Sequence, residues 1–375
     1  MRIGFVPAAR LLSETEPNGE ALIAVSLLRA LAARGHDVVA YCERADLEIE
    51  GVEIRQVSAR APTAALSRIV FARRIARDAA RERFDVLHSL FPMNTVDGHT
   101  GATGAPLVCG PLNVPWPRTV APARLRGRAA TRIFDPMERR MHQHTLERAA
   151  RLLVVGRSAR IALAPHLRDR CVDVPFGVSV ERFAPRPMPD EPVILFLAAL
   201  QERKGIDVLL RAMPAVLRRV PRARLIVAGG DPDGSRARLE RDAPPGVTFA
   251  GPVDPSRTPE MFAACSVFCQ PSLGEPFGMT VVEAMASARP VVATAAGGIP
   301  DAIVEGKGGL LVPAGDVPLL ADALVKILEH SEDARRMGAF NRARAEEHYA
   351  IDAVADRIEQ VYRDVTKEGA RASAS

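Results

Sequence analysis

The chain has 375 residues, of which 47% are hydrophobic and 25% are charged, with 27 Gly, 30 Pro and 5 Cys. This composition excludes a disordered or collagen-like chain, and the length suits two domains that each bury a core. The sequence has no apolar run of the roughly 18 to 20 residues that a membrane-spanning helix needs, and the first apolar run is too short for a signal peptide. An odd, scattered set of cysteines is typical of a reducing compartment, which predicts a cytoplasmic protein.

The charge is divided unevenly along the chain. Residues 1–187 contain 28 Arg, no Lys and 19 acidic residues, a net charge of +9, whereas residues 188–375 have a net charge of −4. A basic first half favours an anionic partner such as a phosphorylated substrate or an anionic membrane surface, although these Arg residues can also form a solvated face. We predict no nucleic-acid partner, because the chain has 3 Tyr and 1 Trp and no basic run interleaved with stacking aromatic residues.

The first half alternates strands with helices. An apolar run at 2–6 predicts a strand, and apolar residues at helical spacing predict a helix at 19–34. Further strands are predicted at 36–41, 84–88, 106–109 and 151–155, with helical stretches between them. This order is typical of a parallel sheet covered on both faces, and it predicts a first domain over residues 1–185. The first strand is not followed by the Gly-x-Gly-x-x-Gly fingerprint of a nicotinamide oxidoreductase.

The second half repeats the pattern after a Pro-rich segment at 185–192, which predicts a stiff linker. The second domain, 186–349, has predicted strands at 193–197, 223–228, 247–250, 267–270 and 290–294 and predicted helices at 206–220, 279–288 and 317–329. A last helix at 350–366 is expected to pack back on the first domain, and the polar tail 367–375 is predicted to be disordered. Two such domains predict a ligand site in a cleft between them, beyond the carboxyl ends of the strands.

The segment 271–301 carries the strongest functional signal. A loop containing Gly278 separates a strand from a helix that begins near Met279. Helix N-termini present free N–H groups and partial positive charge, which predicts an anion site suited to a diphosphate. Glu275 precedes this helix and Glu283 lies in its second turn. Carboxylates beside such a site indicate hydrogen bonds to sugar or ribose hydroxyls, and the alternative is a first-turn acid and a surface acid.

Glu275 and Glu283 have the Glu-x7-Glu spacing of retaining glycosyltransferases of the GT-B fold, and the strings Glu-Pro-Phe-Gly and Glu-Ala-Met-Ala around them resemble glycosyltransferase family four, the group 1 transferases. Other segments that resemble this family, in the same order, are 18–20, 176–183, 203–210, 228–230 and 297–300. The resemblance covers most of the chain. It implies an α/β protein of the GT-B fold, with two Rossmann-like parallel-sheet domains facing a central cleft.

The resemblance implies a retaining hexosyltransferase (EC 2.4) that moves a hexosyl group from a nucleotide-diphosphate sugar to a hydroxyl acceptor, which is a glycan, glycolipid or small molecule. The second domain would bind the donor and the first the acceptor, with neither a metal ion nor a further cofactor. Electrostatic stabilisation of the departing diphosphate would be the main catalytic effect. The alternatives are a nucleotide-sugar hydrolase or epimerase on the same fold, or a catalytically weak sugar-nucleotide-binding subunit. The nucleotide base, the sugar and the acceptor are left open.

Carried over position by position, the resemblance assigns Lys204 to the donor diphosphate, Glu275 to the sugar hydroxyls and Glu283 to the ribose hydroxyls. The donor-binding residues it implies are Gly19, Arg203, Lys204, Glu275, Phe277, Gly278, Met279, Thr280 and Glu283, with backbone N–H groups of 277–280 on the distal phosphate. The family's Arg five residues before the Lys is Ala199 here. Losing one charge-assisted contact should cost roughly 1.5 to 3 kcal/mol of leaving-group stabilisation, and the adjacent Arg203 is the candidate replacement.

The first domain offers two candidate catalytic histidines, because the family often has a His near the reacting carbon. His88 closes a predicted strand and His99 lies in a Gly-rich loop, and either can instead be a structural histidine. The string Asp231-Pro232-Asp233 superficially resembles a metal-binding Asp-x-Asp, but we interpret it as a turn and predict no metal site.

The segment Arg118–Arg151 is strongly basic, and Trp116 lies just before it. This pattern indicates an anionic or lipid-linked acceptor, or a peripheral contact with anionic lipid at the inner membrane face with Trp116 as an anchor. The alternative is an exposed Arg-rich helix without a partner.

Overall fold

A computed structural model describes residues 1–13, 19–59, 61, 64–90, 104–113, 140 and 142–374. The described residues form two compact units. The first contains those of 1–113, 122–177 and 351–374, and the second contains 178–350. The boundary therefore lies before the predicted one at 185, because Val178 already bonds to the second unit: its N–H donates to the carbonyl of Tyr349 over 2.8 Å.

The first unit is an α/β unit. Its strands are β1 (Arg2–Phe5), β3 (Asp37–Cys42), β5 (Val52–Gln56), β6 (Val86–Ser89), β7 (Leu107–Leu112), β8 (Arg151–Val154) and β9 (Cys171–Asp173), and a separate pair is β2 (Leu11–Leu12) with β4 (Arg44–Ala45). Its helices are α1 (Gly19–Ala33), α2 (Ala64–Ala79), α3 (Arg157–Ala162) and α11 (Ile351–Ala374). The large sheet has the order β5-β3-β1-β6-β7-β8-β9, and its paired strands are parallel.

The C-terminal helix α11 packs into the core of this first unit. Ile358 and Tyr362 are fully buried in one apolar cluster with Phe5 of β1 and Leu28 of α1. Full burial of such side chains contributes about 1.5–3 kcal/mol each. The helix continues to Ala374, so residues 367–374, for which the sequence predicts a disordered tail, are helical here. Ala, Arg, Lys and Glu make up most of this stretch, and their high helix propensity explains the continuation.

The second unit repeats the architecture. Its strands are β10 (Val193–Leu197), β11 (Arg224–Ala228), β12 (Val247–Gly251), β13 (Val267–Gln270), β14 (Val291–Thr294) and β15 (Gly309–Val312). Its helices are α4 (Ile206–Arg219), α5 (Arg236–Asp242), α6 (Thr258–Ala263), α7 (Met279–Ala286), α8 (Ile299–Ala302), α9 (Val317–Glu329) and α10 (Ser331–His348). The parallel sheet has the order β12-β11-β10-β13-β14-β15. Both units thus confirm the predicted α/β class.

The strand order of the second unit fixes where its ligand site lies. The chain builds outwards from β10 through β11 to β12, and then outwards on the other side from β13 to β15. The order therefore reverses between β10 and β13, which lie side by side at the centre of the sheet. In open α/β sheets, ligands bind at such a switch point, beyond the carboxyl ends of the strands.

The Pro-rich segment 185–192 is bound to the second unit, which corrects its prediction as a linker. Arg289 is 1% exposed, and burial lowers the pKa of its guanidinium. This group donates to the carbonyls of Phe262 and Arg186 over 2.7 and 3.0 Å. Carbonyl oxygens thus satisfy the buried guanidinium, and its hydrogen bonds hold the Pro-rich segment in place.

Within the described residues, no helix combines the length and the apolar character that crossing a membrane requires.

We expect Arg289→Met to lower the free energy of unfolding by about 2–4 kcal/mol, because it removes the hydrogen bonds of a buried guanidinium to the carbonyls of Phe262, Ala263 and Arg186. Urea denaturation measures the change. The matched control is Arg335→Met, since Arg335 pairs with Asp190 of the same segment at 3.0 Å but is exposed. That control should cost under about 1 kcal/mol. Equal losses in the two variants would contradict the role of the buried guanidinium.

Candidate active site

Lys204 and Glu275 meet at the switch point of the second unit. Lys204 ends a short 3₁₀ turn in the loop after β10, and Glu275 lies in the loop after β13. Nζ of Lys204 and Oε2 of Glu275 are 2.6 Å apart, and the two side chains are 16% and 9% exposed. The sequence places these residues 71 positions apart, and the sheet brings them into one ion pair.

A close approach of the two loops makes this pair possible. Gly205 has φ +74°, and a Cβ on it would lie 1.8 Å from the carbonyl oxygen of Pro271. Only glycine fits this contact without moving the backbone. The N–H of Leu273 also donates to the carbonyl of Arg203 over 2.8 Å. The Lys-Gly turn is therefore fixed against the loop that carries Glu275.

The loop after β14 holds the backbone of Glu275 from the other side. The N–H of Gly298 donates to the carbonyl of Glu275 over 2.9 Å. Gly297 has φ +59°, and a Cβ on it would lie 1.9 Å from the same oxygen. The Gly-Gly string thus has a packing reason within this unit, because a larger side chain would displace Glu275.

A chain of buried side chains leads to the Glu275 carboxylate. The hydroxyl of Ser272 donates to Oε2 of Glu275 over 3.3 Å, and Nε2 of Gln270 donates to that hydroxyl oxygen over 2.6 Å. The hydroxyl of Thr280 donates to Oε1 of Gln270 over 3.0 Å. Sequence analysis missed Gln270 and Ser272. The available signal was their position, at the end of β13 and inside the Pro-Ser-Leu-Gly-Glu string.

Helix α7 begins beside this loop and carries Glu283. Its first residues, Met279 and Thr280, present N–H groups that lie beyond the reach of intrahelical bonding. Burial raises the pKa of the Glu283 carboxyl to about 7, an effect that the positive charge of Arg182 opposes. Phe277 is 2% exposed and its ring packs edge-on against Tyr349, so its side chain is part of the core.

Arg203 contributes a second positive charge near the ion pair. Its Nε donates to Oε1 of Gln201 over 3.0 Å. Burial lowers the pKa of the guanidinium, and the negative charges of Glu275 and Asp233 oppose this shift. Arg203 and Lys204 therefore both act electrostatically on Glu275, although they are consecutive residues.

Asp231 forms the turn that the sequence predicts. Its carboxylate accepts from the N–H groups of Ser235 and Arg236 over 2.8 and 3.1 Å, and these hydrogen bonds lower its pKa. In the portion of the chain that the structure describes, no group of three or more His, Cys, Asp or Glu side chains is placed to hold a metal ion.

His88 does not have the geometry of a catalytic residue, which corrects its prediction as one. The side chain is fully buried, with Nε2 at 2.6 Å from the carbonyl oxygen of Gly110 and Nδ1 at 2.5 Å from the hydroxyl of Tyr362. Burial lowers the pKa of the imidazole to about 4, so it is neutral near pH 7. Since the carbonyl only accepts, Nε2 carries the proton and Nδ1 accepts from Tyr362. Both nitrogens are thus used to join β6, β7 and α11.

Other predicted residues lie in the first unit or outside the described residues. Gly19 begins α1 in the first unit, and a Cβ on it would meet no atom of the described chain within 4 Å. His99, Trp116 and most of the basic segment from Arg118 lie outside the described residues. At its end, Arg151 pairs with Glu368 of α11 at 2.5 Å.

Two family models match the chain. Glycosyltransferase Family 4 matches residues 17–182, and Glycosyl transferases group 1 matches residues 191–330. D-inositol 3-phosphate glycosyltransferase of Corynebacterium diphtheriae is 30% identical over 386 aligned positions, which cover 91% of this chain and 88% of that protein. Phosphatidyl-myo-inositol mannosyltransferase of Mycolicibacterium smegmatis is 33% identical over 252 positions, 65% of this chain. That match spans 64% of the mannosyltransferase, less than two thirds of its length.

Solved structures share the fold. HepE of Anabaena, crystallised with UDP and glucose, superposes with a TM-score of 0.73 at 17% sequence identity, covering 96% of this chain and 99% of that one.

We expect Lys204→Met to lower the free energy of unfolding by about 2–3 kcal/mol, because it leaves the Glu275 carboxylate buried without its cation. Adding Glu275→Gln should recover most of that loss, since the buried charge is then gone. Urea denaturation of the four proteins in the cycle tests this. Arg257→Met is the control, because it breaks an exposed pair with Glu260 and should cost under about 1 kcal/mol. Additive effects of the two site substitutions would contradict a coupled pair.

Proposed function

Because this chain belongs to the group 1 glycosyltransferases of glycosyltransferase family 4, we propose that it transfers a hexosyl group from a nucleotide-diphosphate sugar to a hydroxyl acceptor, with retention at the anomeric carbon. The observation that carries the proposal is the ion pair of Lys204 and Glu275 at the switch point of the second unit, beside the N-terminus of α7. A cation, a carboxylate and free N–H groups are what a sugar diphosphate needs.

The donor diphosphate binds to Lys204 and to the start of α7. Lys carries three N–H donors, so Nζ can hold a phosphate oxygen while it keeps or releases Glu275. The N–H groups of Met279 and Thr280 and the partial positive charge of the helix end stabilise the distal phosphate. The same contacts strengthen as negative charge develops on the departing diphosphate, which lowers the barrier to transfer.

Glu275 contacts the hydroxyls of the donor sugar and Glu283 those of the ribose. Arg203 supplies part of the charge that Ala199 does not, since its guanidinium acts on Glu275 from the same loop as Lys204. With these cations and the helix N-terminus as the electrostatic groups, we propose that transfer needs neither a metal ion nor a further cofactor.

The acceptor is proposed to be anionic and to bind to the first unit. Residues 1–187, which contain most of the first unit, have a net charge of +9, and the two relatives are named for an inositol phosphate and a phosphatidylinositol. A phosphate near the reacting hydroxyl is thus the chemistry that a basic domain would attract. The basic segment from Arg118 to Arg151 is proposed to contact this acceptor or an anionic membrane that carries it, on the cytoplasmic side.

The first experiment is donor binding followed by transfer. UDP-, GDP-, ADP- and TDP-hexoses are screened for thermal stabilisation with and without EDTA, since a ligand at 100 times its Kd adds about 2.7 kcal/mol to stability. We expect one nucleotide class to stabilise the protein equally with EDTA. Glu275→Gln should then bind the nucleoside diphosphate normally but transfer sugar roughly 10²–10³-fold more slowly.

Three outcomes would contradict the proposal. Stabilisation that disappears with EDTA would show that a metal ion is required. Donor binding with release of free sugar and no transfer to any hydroxyl acceptor would favour a nucleotide-sugar hydrolase, and binding without turnover would favour a binding subunit.

Glu283 predicts a pH dependence of both stability and binding. Its pKa of about 7 lies above the ordinary value of 4.5. The free energy of unfolding therefore falls as the pH rises from about 4.5 to 7, is lowest above pH 7, and shows no such loss below pH 4.5. Glu283→Gln should therefore raise the free energy of unfolding by about 1–3 kcal/mol at pH 8 and change it little at pH 4.5.

The same variant should bind the donor more weakly. Ribose hydroxyls donate to the ionised carboxylate, so affinity of the wild type for UDP-glucose should fall as the pH is lowered from 8 to 6. Glu283→Gln should bind about fivefold more weakly at pH 8 and show a flat profile, because a neutral acceptor forms weaker hydrogen bonds. Calorimetric titration measures both profiles, and a variant with wild-type affinity at pH 8 would remove Glu283 from the site.

A further inference from the structure

We propose that Gln270 and Ser272 are positioning residues that fix the Glu275 carboxylate for the donor sugar, and that Thr280 sets the direction of their hydrogen bonds. This inference rests on the proposed function, because it gives Glu275 the donor sugar as its partner. None of the three side chains needs to touch the sugar. Their effect passes through one hydroxyl to one carboxylate oxygen.

The direction of the three hydrogen bonds follows from which groups donate. The Thr280 hydroxyl donates to Oε1 of Gln270, so the amide must turn Nε2 towards Ser272. The Ser272 oxygen accepts this bond over 2.6 Å, and its only proton is then directed to Oε2 of Glu275. With Nζ of Lys204 on the same oxygen at 2.6 Å, Oε2 holds two donors. Within the part of the chain that the structure describes, the other carboxylate oxygen, Oε1, accepts no hydrogen bond, so we assign it to the ligand.

Burial makes this arrangement specific. Gln270 is 1% exposed and Ser272 is 0% exposed, so water does not compete for their hydrogen bonds. A buried polar group that loses its hydrogen-bond partner lowers the stability of the fold, so these side chains have few alternative arrangements. The hydroxyl of Thr294 is buried beside them and donates to the backbone carbonyl of Ser272. It orders the same loop but contributes nothing to the chain of side chains.

The hydrogen-bonded side chains of Thr280, Gln270 and Ser272 also connect two parts of the proposed donor site. Thr280 lies in the first turn of α7, where its backbone N–H faces the proposed phosphate position, and its hydroxyl begins the chain that ends at Glu275. The position of the phosphate-binding helix is therefore coupled to the orientation of the sugar-binding carboxylate. Precise positioning of a substrate requires side chains that are fixed in this way by hydrogen bonds.

Gln270→Glu tests the direction of the hydrogen bonds with almost no change of shape. A carboxylate at 270 accepts from both Thr280 and Ser272, so the single Ser272 proton turns away from Glu275. Ser272→Ala removes that proton outright. Gln270→Met, which keeps the length without either hydrogen bond, replaces Gln270→Glu if the latter does not fold.

The measurements are turnover of UDP-glucose and binding of UDP, which lacks the sugar. We expect Ser272→Ala and Gln270→Glu each to lower kcat about 10–100-fold while the Kd of UDP stays within about twofold. The double variant should be no slower than Ser272→Ala alone, because Gln270 acts only through that hydroxyl. The control is Thr294→Val, which should lose stability but keep kcat within about threefold.

Three results would overturn the inference: additive losses in the double variant, full turnover by Ser272→Ala, or an equal loss of kcat in Thr294→Val. Urea midpoints of the same proteins without ligand separate this inference from the proposed function. If the wild type binds no UDP while Gln270→Met lowers the midpoint of the wild type but leaves that of Ser272→Ala unchanged, the hydrogen-bonded side chains are supported and the UDP-sugar donor is overturned.

Discussion

The ion pair between Lys204 and Glu275 is the contact around which the proposed donor site of the second unit is built. It joins the loops that follow two adjacent central strands, and it exists because Gly205 lets those loops approach to a distance that no side chain allows. Removing two charges from water is costly unless their hydrogen bonds are satisfied. The hydroxyl of Ser272, in the same loop as Glu275, donates one such hydrogen bond to the carboxylate, and the N–H of Gly298 from the loop after β14 holds the backbone carbonyl of Glu275.

This arrangement holds the site together before any ligand binds. Under the proposed function, a nucleotide-diphosphate sugar would bring negative charge for Lys204 and hydroxyls for Glu275, so each partner would exchange an internal contact for one with the donor. Glu283 differs, because burial opposes its ionisation and, among the described residues, the charge of Arg182 offsets this only in part. Under the proposed function, the ribose hydroxyls would compensate Glu283 for this loss of stability, a trade that is common at binding sites.

Much of the fold could be predicted from the sequence, because most elements have regular apolar patterns. The predicted bounds of β10, β13 and α9 match those observed, and the family and the α/β class are confirmed. Helix α10 was missed because its buried positions are Ala, Gly and Asn, which give no apolar period. Short edge strands such as β9 were missed for a related reason, since few of their side chains are buried.

The sequence by itself determined the family, the alternation of strands and helices, and the strings around Lys204, Glu275 and Glu283, because these depend on residues close together in the chain. Only the tertiary structure decided the fate of His88, whose two nitrogens bond to Gly110 and Tyr362, far away in sequence. It also decided the anchoring of the Pro-rich segment by Arg289 and the partners of the Glu275 carboxylate. Burial and hydrogen-bond partners are set by packing between distant segments, and no local pattern encodes them.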